Sequence, residues 1–243
     1  MPDQPYYLAY ETRYQKAYAA GADFWGHTPE DEELTEYLSK WVKQNNLEGK
    51  KIIEFFCGEG ASGVILSKMG CDYHGVDISP TAAEKARNMI KEYPGAKITE
   101  LNVVSDQIDE TYDAALDVMG IHMLVTDTDR VGYLKNAFSC LIKGAPILFF
   151  RELYAERAND QFMNSYDEWL SASKNDYTTP KLMNFIKDGK EIEIQLPSVP
   201  GRSKTRDGYK CELSEAGFIV DSIIEMEPSR KTPNSVSIYA HKP

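Results

Sequence analysis

An apolar strand that runs into a glycine-rich turn constrains the fold of this 243-residue chain more than any other feature. The segment Ile52–Phe56 is predicted to be a buried strand, and residues 57–63 are Cys-Gly-Glu-Gly-Ala-Ser-Gly, followed by a predicted helix. Glycine permits positive φ and lets the backbone approach a ligand closely. A turn of this kind between strand and helix is typical of α/β folds that bind a nucleotide-containing cofactor.

Strand-then-helix units repeat along most of the chain. Repeated units with apolar strands predict a parallel sheet that is covered by helices on both faces. The predicted strands are Ile52–Phe56, Asp72–Asp77, Lys97–Asn102, Tyr112–Val118, Ala145–Phe150, Phe218–Glu225 and Ser235–His241.

Two segments fall outside this rhythm within what is predicted to be a single domain, 1–243. Residues 1–48 are predicted to be helical and to form a lid, with tyrosines spaced along one helical face. Residues 152–206 are predicted to be an insertion between strands five and six, with a helix around Glu156–Ser171 and a hairpin across Asp188-Gly189. The insertion is expected to line the acceptor site or to form a dimer surface.

An acidic residue at the end of the first strand extends the motif. Glu54 precedes the turn glycines Gly58 and Gly60, and the second strand ends in Gly-Val-Asp-Ile-Ser at 75–79. In these features the chain resembles the class I (Rossmann-like) S-adenosylmethionine (SAM)-dependent methyltransferases, over Lys51–Phe150 and Tyr209–Pro243. The resemblance implies an α/β fold with a doubly wound, seven-stranded, mostly parallel sheet whose last strand is antiparallel.

The resemblance also implies a set of cofactor-binding residues. Asp77 would accept hydrogen bonds from the ribose hydroxyls, although a strand-end acid also caps helices. Ile78 would pack on the adenine, with Asn102 and Val103 at its edge, and Asp117 would lie near the methionine end or the acceptor. Glu54 would accept N–H bonds from the loop and attract the ammonium group of the cofactor.

The chain departs from the family pattern in the glycine turn and in the third strand. Phe56 stands where relatives often have glycine, which predicts a narrower pocket or a shifted methionine end. Asn102 stands where many relatives have aspartate, but its carbonyl oxygen can still accept a hydrogen bond from the adenine amino group.

The N-terminal segment supplies further candidates. Tyr14 and Arg13 would reach the carboxylate of the cofactor, and Trp25 would wall the pocket; core packing explains the aromatic residues equally well. His122, after the fourth strand, and His27 are the candidate general bases. Both histidines have structural alternatives, and no cluster of acids compels a metal site.

Charge and composition limit the acceptor. The net charge of −11 disfavours nucleic acid, whose phosphates need cationic partners. The basic cluster at Arg202, Lys204 and Arg206 is interpreted as a solvated loop. Scattered cysteines suggest a reducing, cytoplasmic compartment, and no apolar run is long enough for a membrane span.

The predicted function is methyl transfer from SAM, with S-adenosylhomocysteine as product, to an O, N or S atom of a small-molecule acceptor. Three alternatives remain open. The spacing of Gly58, Gly60 and Gly63 also fits a nicotinamide-dependent oxidoreductase. A SAM-binding scaffold without turnover, or a protein or RNA methyltransferase, would carry the same cofactor motif.

Overall fold

A computed structural model describes residues 5–174, 176–229 and 232–243 of the chain. The strands within these ranges are β1 (Lys51–Phe55), β2 (Asp72–Asp77), β3 (Lys97–Glu100), β4 (Ala114–Val118), β5 (Pro146–Leu153), β6 (Pro180–Lys187), β7 (Lys190–Pro197), β8 (Ile219–Met226) and β9 (Ser235–His241). The helices are α1 (Ala9–Ala19), α2 (Glu32–Asn45), α3 (Ala61–Lys68), α4 (Pro80–Ile90), α5 (Asp127–Ser139), α6 (Tyr166–Ser173) and α7 (Arg206–Glu215).

Seven strands form one sheet in the order β3-β2-β1-β4-β5-β9-β8. The first five strands in sequence pair in parallel, and β9 is antiparallel to both of its neighbours. The predicted α/β fold with an antiparallel last strand is therefore confirmed. The order reverses between β1 and β4, which places a crevice at the carboxyl ends of these two strands.

The strands bury alternate residues in two separate cores, one on each face of the sheet. Ile53 of β1 lies in the core that includes α5 and α7, whereas Ile52 lies in the core that includes Leu34, Leu38 and Trp41 of α2. Helix α2 is therefore part of the structural layer, whereas the segment 5–31 that precedes it contacts the carboxyl edge of the sheet through Glu11, Tyr14 and Trp25.

The insertion contains the predicted hairpin as β6 and β7, joined by Asp188 (φ 49°) and Gly189 (φ 69°). The hairpin packs on α1 through a small core that includes Ala17 and Phe185. The predicted helix Glu156–Ser171 is wrong in extent. Only α6 forms, because Ser165 caps it by accepting a hydrogen bond from the Glu168 amide at 3.2 Å.

No helix in the described part of the chain is both long enough and apolar enough to cross a membrane.

Candidate functional site

Backbone strain marks the carboxyl ends of three neighbouring strands. Phe56 follows β1, Met119 follows β4 and Arg151 lies near the end of β5, and their φ angles are 54°, 58° and 59°. Positive φ is unfavourable for bulky side chains and persists only where the surroundings enforce it, as they often do at functional sites. Together with the crevice between β1 and β4, this strain identifies the carboxyl edge as the candidate site.

The glycine loop is tied to the end of β2 by Asp77. Its carboxylate accepts hydrogen bonds from the amides of Gly58 and Ser79, both at 2.8 Å. Burial raises the pKa of Asp77 to about 6 although these donors oppose the shift. A Cβ on Gly60 would lie 2.9 Å from the Ala86 Cβ, so only glycine lets the loop pack this closely on α4.

Glu54 is buried at the end of β1 and is bonded differently from the expectation. The Tyr73 hydroxyl donates to its carboxyl group, whereas the loop amide of Gly58 donates to Asp77. Burial raises the pKa of Glu54 to about 8. The site thus contains an acid whose ionised form lacks a cationic partner among the described residues.

Glu59, within the glycine loop, binds the segment between α1 and α2. It accepts hydrogen bonds from the amides of Trp25 (3.1 Å) and Gly26 (2.6 Å) and from the Tyr18 hydroxyl (2.5 Å). The Lys85 ammonium lies 3.3 Å away. No role for Glu59 follows from the sequence, because its partners become adjacent only in the folded chain.

Tyr14 and Arg13 point to different places. Tyr14 is buried with its ring centroid 5.0 Å from that of Trp25, and its hydroxyl lies 2.9 Å from the position that a Cβ on Gly58 would take. Arg13 instead donates to the Met183 sulfur and to the Pro197 carbonyl in the hairpin. The expected approach of Arg13 to the cofactor carboxylate is therefore replaced by a bond to the insertion.

The side of the site that is expected to hold adenine is formed by the ends of β2 and β3 and by the short helical turn Tyr6–Leu8. The side-chain Nδ2 of Asn102 donates to the Tyr7 hydroxyl at 3.1 Å. Val103 is buried, and Ile78 is partly buried against the same core. The contacts of these residues with a cofactor stay a prediction.

Asp117, at the end of β4, is fully buried and shapes the turn that follows. It accepts hydrogen bonds from the amides of Gly120 (2.7 Å) and Ile121 (3.0 Å) and from the Tyr133 hydroxyl (2.8 Å). A Cβ on Gly120 would lie 2.2 Å from the Asp117 carboxylate and 2.3 Å from the Phe56 ring. The turn therefore requires glycine at 120.

Glu152 of β5 completes a buried acid pair with Asp117. It accepts hydrogen bonds from the amides of Gly120 (3.1 Å) and His122 (3.0 Å), and its carboxylate lies 2.8 Å from the His122 Nδ1. Burial and the proximity of Glu152 raise the pKa of Asp117 well above its ordinary value, while burial raises that of Glu152 to about 7. The pair therefore retains a proton near neutral pH.

His122 is neutral because burial lowers its pKa to about 4. With Nδ1 donating to Glu152, Nε2 carries the lone pair and can accept a proton. His27 has a similar arrangement, since its Nδ1 lies 2.6 Å from the Asp31 carboxylate. The His27 Nε2 is buried without a hydrogen-bond partner among the described residues, and its ring lies 6.2 Å from Phe150. Both histidines are thus oriented by a carboxylate.

The basic cluster of the insertion is not the solvated loop that the sequence suggested. Arg202 and Lys204 are each 4% exposed, and both pair with Asp127. Arg206 alone is half exposed, paired with Glu225. Ion pairs with residues distant in sequence account for this burial.

The glycine loop and the strands around it match a known protein family. Residues 53–147 match a family model described as a methyltransferase domain. This span runs from β1 to the start of β5 and includes the glycine loop, Asp77, Asn102 and Asp117.

Solved structures share the whole fold at low sequence identity. The SAM-bound structure of CalS10, an amino pentose methyltransferase from Micromonospora echinaspora involved in calicheamicin biosynthesis, is 14% identical with a TM-score of 0.64, and the match covers 100% of both chains. A SAM-dependent methyltransferase from Clostridium acetobutylicum ATCC 824 is 12% identical with a TM-score of 0.61, covering 97% of this chain and 98% of that one.

Sequence relatives match only a short stretch. The tRNA (uracil(54)-C(5))-methyltransferase of Pyrococcus abyssi is 29% identical over 86 residues, which are 35% of this chain and 19% of that protein. This chain thus spans about a fifth of the length of the relatives that it matches. Residues 53–147 thus match a methyltransferase domain, and the whole chain has the fold of solved SAM-dependent methyltransferases.

Proposed function

We propose that the chain transfers a methyl group from SAM to a small-molecule acceptor at the carboxyl edge of β1 and β4. The glycine loop tied to Asp77 supports this cofactor, because Gly58 at positive φ lets the Tyr14 hydroxyl approach the loop to within 2.9 Å of where a Cβ would lie. The SAM-bound CalS10 structure, which has the same fold, supports the same assignment.

The residues that would hold the cofactor follow from this placement. Asp77 would bind the ribose, with Ile78, Asn102 and Val103 around the adenine. Glu54, Asp117 and the aromatic residues Tyr14 and Trp25 would surround the methionine end. When bound, SAM supplies a methyl group on a positively charged sulfur, which is open to attack by a nucleophile.

The protein's part in the reaction is alignment, exclusion of water and removal of one proton. Orientation of two reactants alone can contribute about 7–11 kcal/mol. His122 would take a proton from the acceptor onto Nε2, since Glu152 holds Nδ1. His27 is the second candidate for this role, because Asp31 orients it in the same way.

The enclosure of the edge is the observation that most favours a small acceptor. Helix α1 packs on the hairpin and, through Tyr14, approaches Gly58 of the glycine loop. The Tyr10 hydroxyl donates to the Pro200 carbonyl, two residues before Arg202, whose amide donates to the His122 carbonyl. Such an enclosed site suits a small molecule better than a folded RNA or protein, and the net charge of −11 also disfavours RNA.

Calorimetric titration with S-adenosylhomocysteine tests the cofactor, with NADH as the competing ligand. We expect micromolar binding of S-adenosylhomocysteine and none of NADH. Asp77→Asn should weaken binding at least about tenfold, because charge-assisted hydrogen bonds are the stronger ones. The matched control is Asp109→Asn, a substitution at an exposed position. This variant should bind S-adenosylhomocysteine as tightly as the parent does.

Two results would overturn the proposal. Binding of NADH alone would favour an oxidoreductase. Binding of S-adenosylhomocysteine without labelled-methyl transfer to any member of a broad small-molecule panel would favour a scaffold.

A further inference from the structure

The acid that is expected to bind the cofactor ribose is almost completely covered in this structure. Asp77 is 8% exposed, and its two oxygens accept hydrogen bonds from the amides of Gly58 and Ser79. The hydroxyl of Tyr14, on α1, lies 2.9 Å from the position that a Cβ on Gly58 would take. Helix α1 therefore covers the glycine loop and the acid beside it.

Glu11 is the first of two carboxylates that hold α1 in this position. It accepts hydrogen bonds from the hydroxyls of Ser79 (2.5 Å) and Thr81 (2.7 Å) and from the Thr81 amide (3.2 Å). The start of a helix favours an acid, and hydrogen bonds to a charged group are the stronger class. Since Ser79 follows Asp77 by two residues, this contact ties α1 to the chain segment beside the ribose-binding acid.

Glu59, in the glycine loop, is the second carboxylate. It binds the amides of Trp25 and Gly26 and the Tyr18 hydroxyl, and the Lys85 ammonium lies 3.3 Å from it. The Glu59 side chain is only 2% exposed, so water does not replace these donors while the segment lies in place. The two carboxylates thus hold α1 and the segment after it at two separate points.

The small apolar core that includes α1 is shared with the hairpin. Ala17 of α1 and Phe185 of β6 are 0% and 2% exposed, and both belong to this core. Helix α1 and the hairpin therefore form one packed unit, and polar contacts join that unit to the glycine loop and to α4. Opening at the polar joint exchanges hydrogen bonds for bonds to water and leaves the small core intact.

We propose that Glu11 and Glu59 are latches that keep the site closed before the cofactor binds, so that SAM enters and S-adenosylhomocysteine leaves only after α1 has moved away. The inference deepens the proposed function and rests on it for the identity of the cofactor. The association rate constant is then proportional to the fraction of protein in the open form, and weakening a latch raises that fraction. The ligand leaves by the same opening, so its dissociation also becomes faster.

Surface plasmon resonance with S-adenosylhomocysteine measures both rate constants. We expect each of them to rise about tenfold in Glu11→Gln and in Glu59→Gln, because a neutral amide is a weaker acceptor than a carboxylate. The Kd should stay within about threefold of the parent value, since the latches stabilise the closed form both with and without ligand.

Two further variants complete the test. The double variant should exceed either single variant in both rate constants, because the two latches use separate partners. Glu84→Gln, an exposed substitution on α4, is the matched control and should bind with the rate constants of the parent. Glu11 is only partly buried, so Glu11→Gln decides the question even if Glu59→Gln does not fold.

A weaker Kd with an unchanged association rate constant would overturn the inference, because the segment would then close only after the cofactor has bound. Rate constants in Glu11→Gln equal to those of Glu84→Gln would overturn it as well. A parent protein that does not bind S-adenosylhomocysteine would instead overturn the proposed function, and this result is distinct from both.

Discussion

Two features at the residue scale distinguish this site: a neutral histidine held by a buried acid, and bulky side chains held at positive φ. His122 depends on Glu152, which in turn shares a buried environment with Asp117. Phe56 takes a backbone conformation that usually favours glycine, and it keeps that conformation because its ring packs 4.9 Å from Tyr133.

Replacing His122 with asparagine should lower kcat by about 10²–10⁴-fold for an acceptor that must lose a proton. The affinity for S-adenosylhomocysteine should change little. Glu152 must be ionised to accept the Nδ1 proton of His122, and burial raises its pKa to about 7, so the parent's kcat should fall as the pH drops from 8 to 6. A rate–pH profile with His27→Asn as the comparison checks this, and a loss of kcat in His27→Asn that His122→Asn does not show would assign the base to His27.

Comparing Phe56→Gly with Phe56→Ala should isolate the backbone strain. Both variants lose the ring, but alanine keeps the unfavourable positive φ. We therefore expect the glycine variant to be the more stable by about 1 kcal/mol, the reverse of the order at ordinary positions. Urea unfolding measures both free energies, and an alanine variant of equal or greater stability would mean that residue 56 is not strained.

At the scale of elements, the glycine loop and α1 with its following segment act as one unit. Glu59 joins them through the amides of Trp25 and Gly26, and Glu11 of α1 accepts hydrogen bonds from Ser79 (2.5 Å) and Thr81 (2.7 Å) at the start of α4. The covering segment is thus held by carboxylates on both sides of the loop rather than by a large apolar contact.

Glu59→Gln should loosen this unit without unfolding the sheet. A neutral amide is a weaker acceptor for two amides and cannot pair with Lys85, so the amides of Trp25 and Gly26 should exchange with solvent roughly tenfold faster. Hydrogen exchange measured on the apo protein tests this. Glu110→Gln, an exposed substitution, is the control, and equal exchange rates in the two variants would show that Glu59 does not hold the segment.

At the scale of the whole molecule, buried acids make the stability of the apo protein dependent on pH. Burial raises the pKa of Glu54 to about 8 and that of Glu152 to about 7. Groups with a raised folded pKa stabilise the protein at low pH and lose that contribution as pH rises through the folded value. His74 and His122, whose pKa values burial lowers to about 4, oppose this trend only below pH 6.5.

The free energy of unfolding should therefore fall between pH 6.5 and pH 8.5, by at most about 1.4 kcal/mol per pH unit for each proton involved. Urea titrations at the two pH values measure the change. Glu54→Gln should reduce the slope, because glutamine still accepts from Tyr73 and does not ionise. If the free energy of unfolding of the parent does not change with pH, or changes equally in Glu54→Gln, Glu54 does not cause the pH dependence.

The local patterns of the sequence were sufficient to predict the strands, the glycine loop, the hairpin turn and the parallel sheet. The position of Asp77 beside the glycine loop was also predictable, since this residue ends the strand that follows the loop. These features depend on neighbours in the chain, because periodicity and turn residues report local geometry and burial. The boundary of α6 was not predictable, because the segment before it is held by tertiary contacts rather than by periodicity.

Only the tertiary structure decided which charged groups meet. Glu152 reaches His122 because β4 and β5 are neighbours, and Glu59 reaches Trp25 because the chain folds back over the loop. Arg202 is buried because Asp127, far away in sequence, supplies its counter-charge. A sequence shows how many charges a segment carries, but burial and pairing depend on distances that only the packed chain sets, and these distances determine the chemistry of the site.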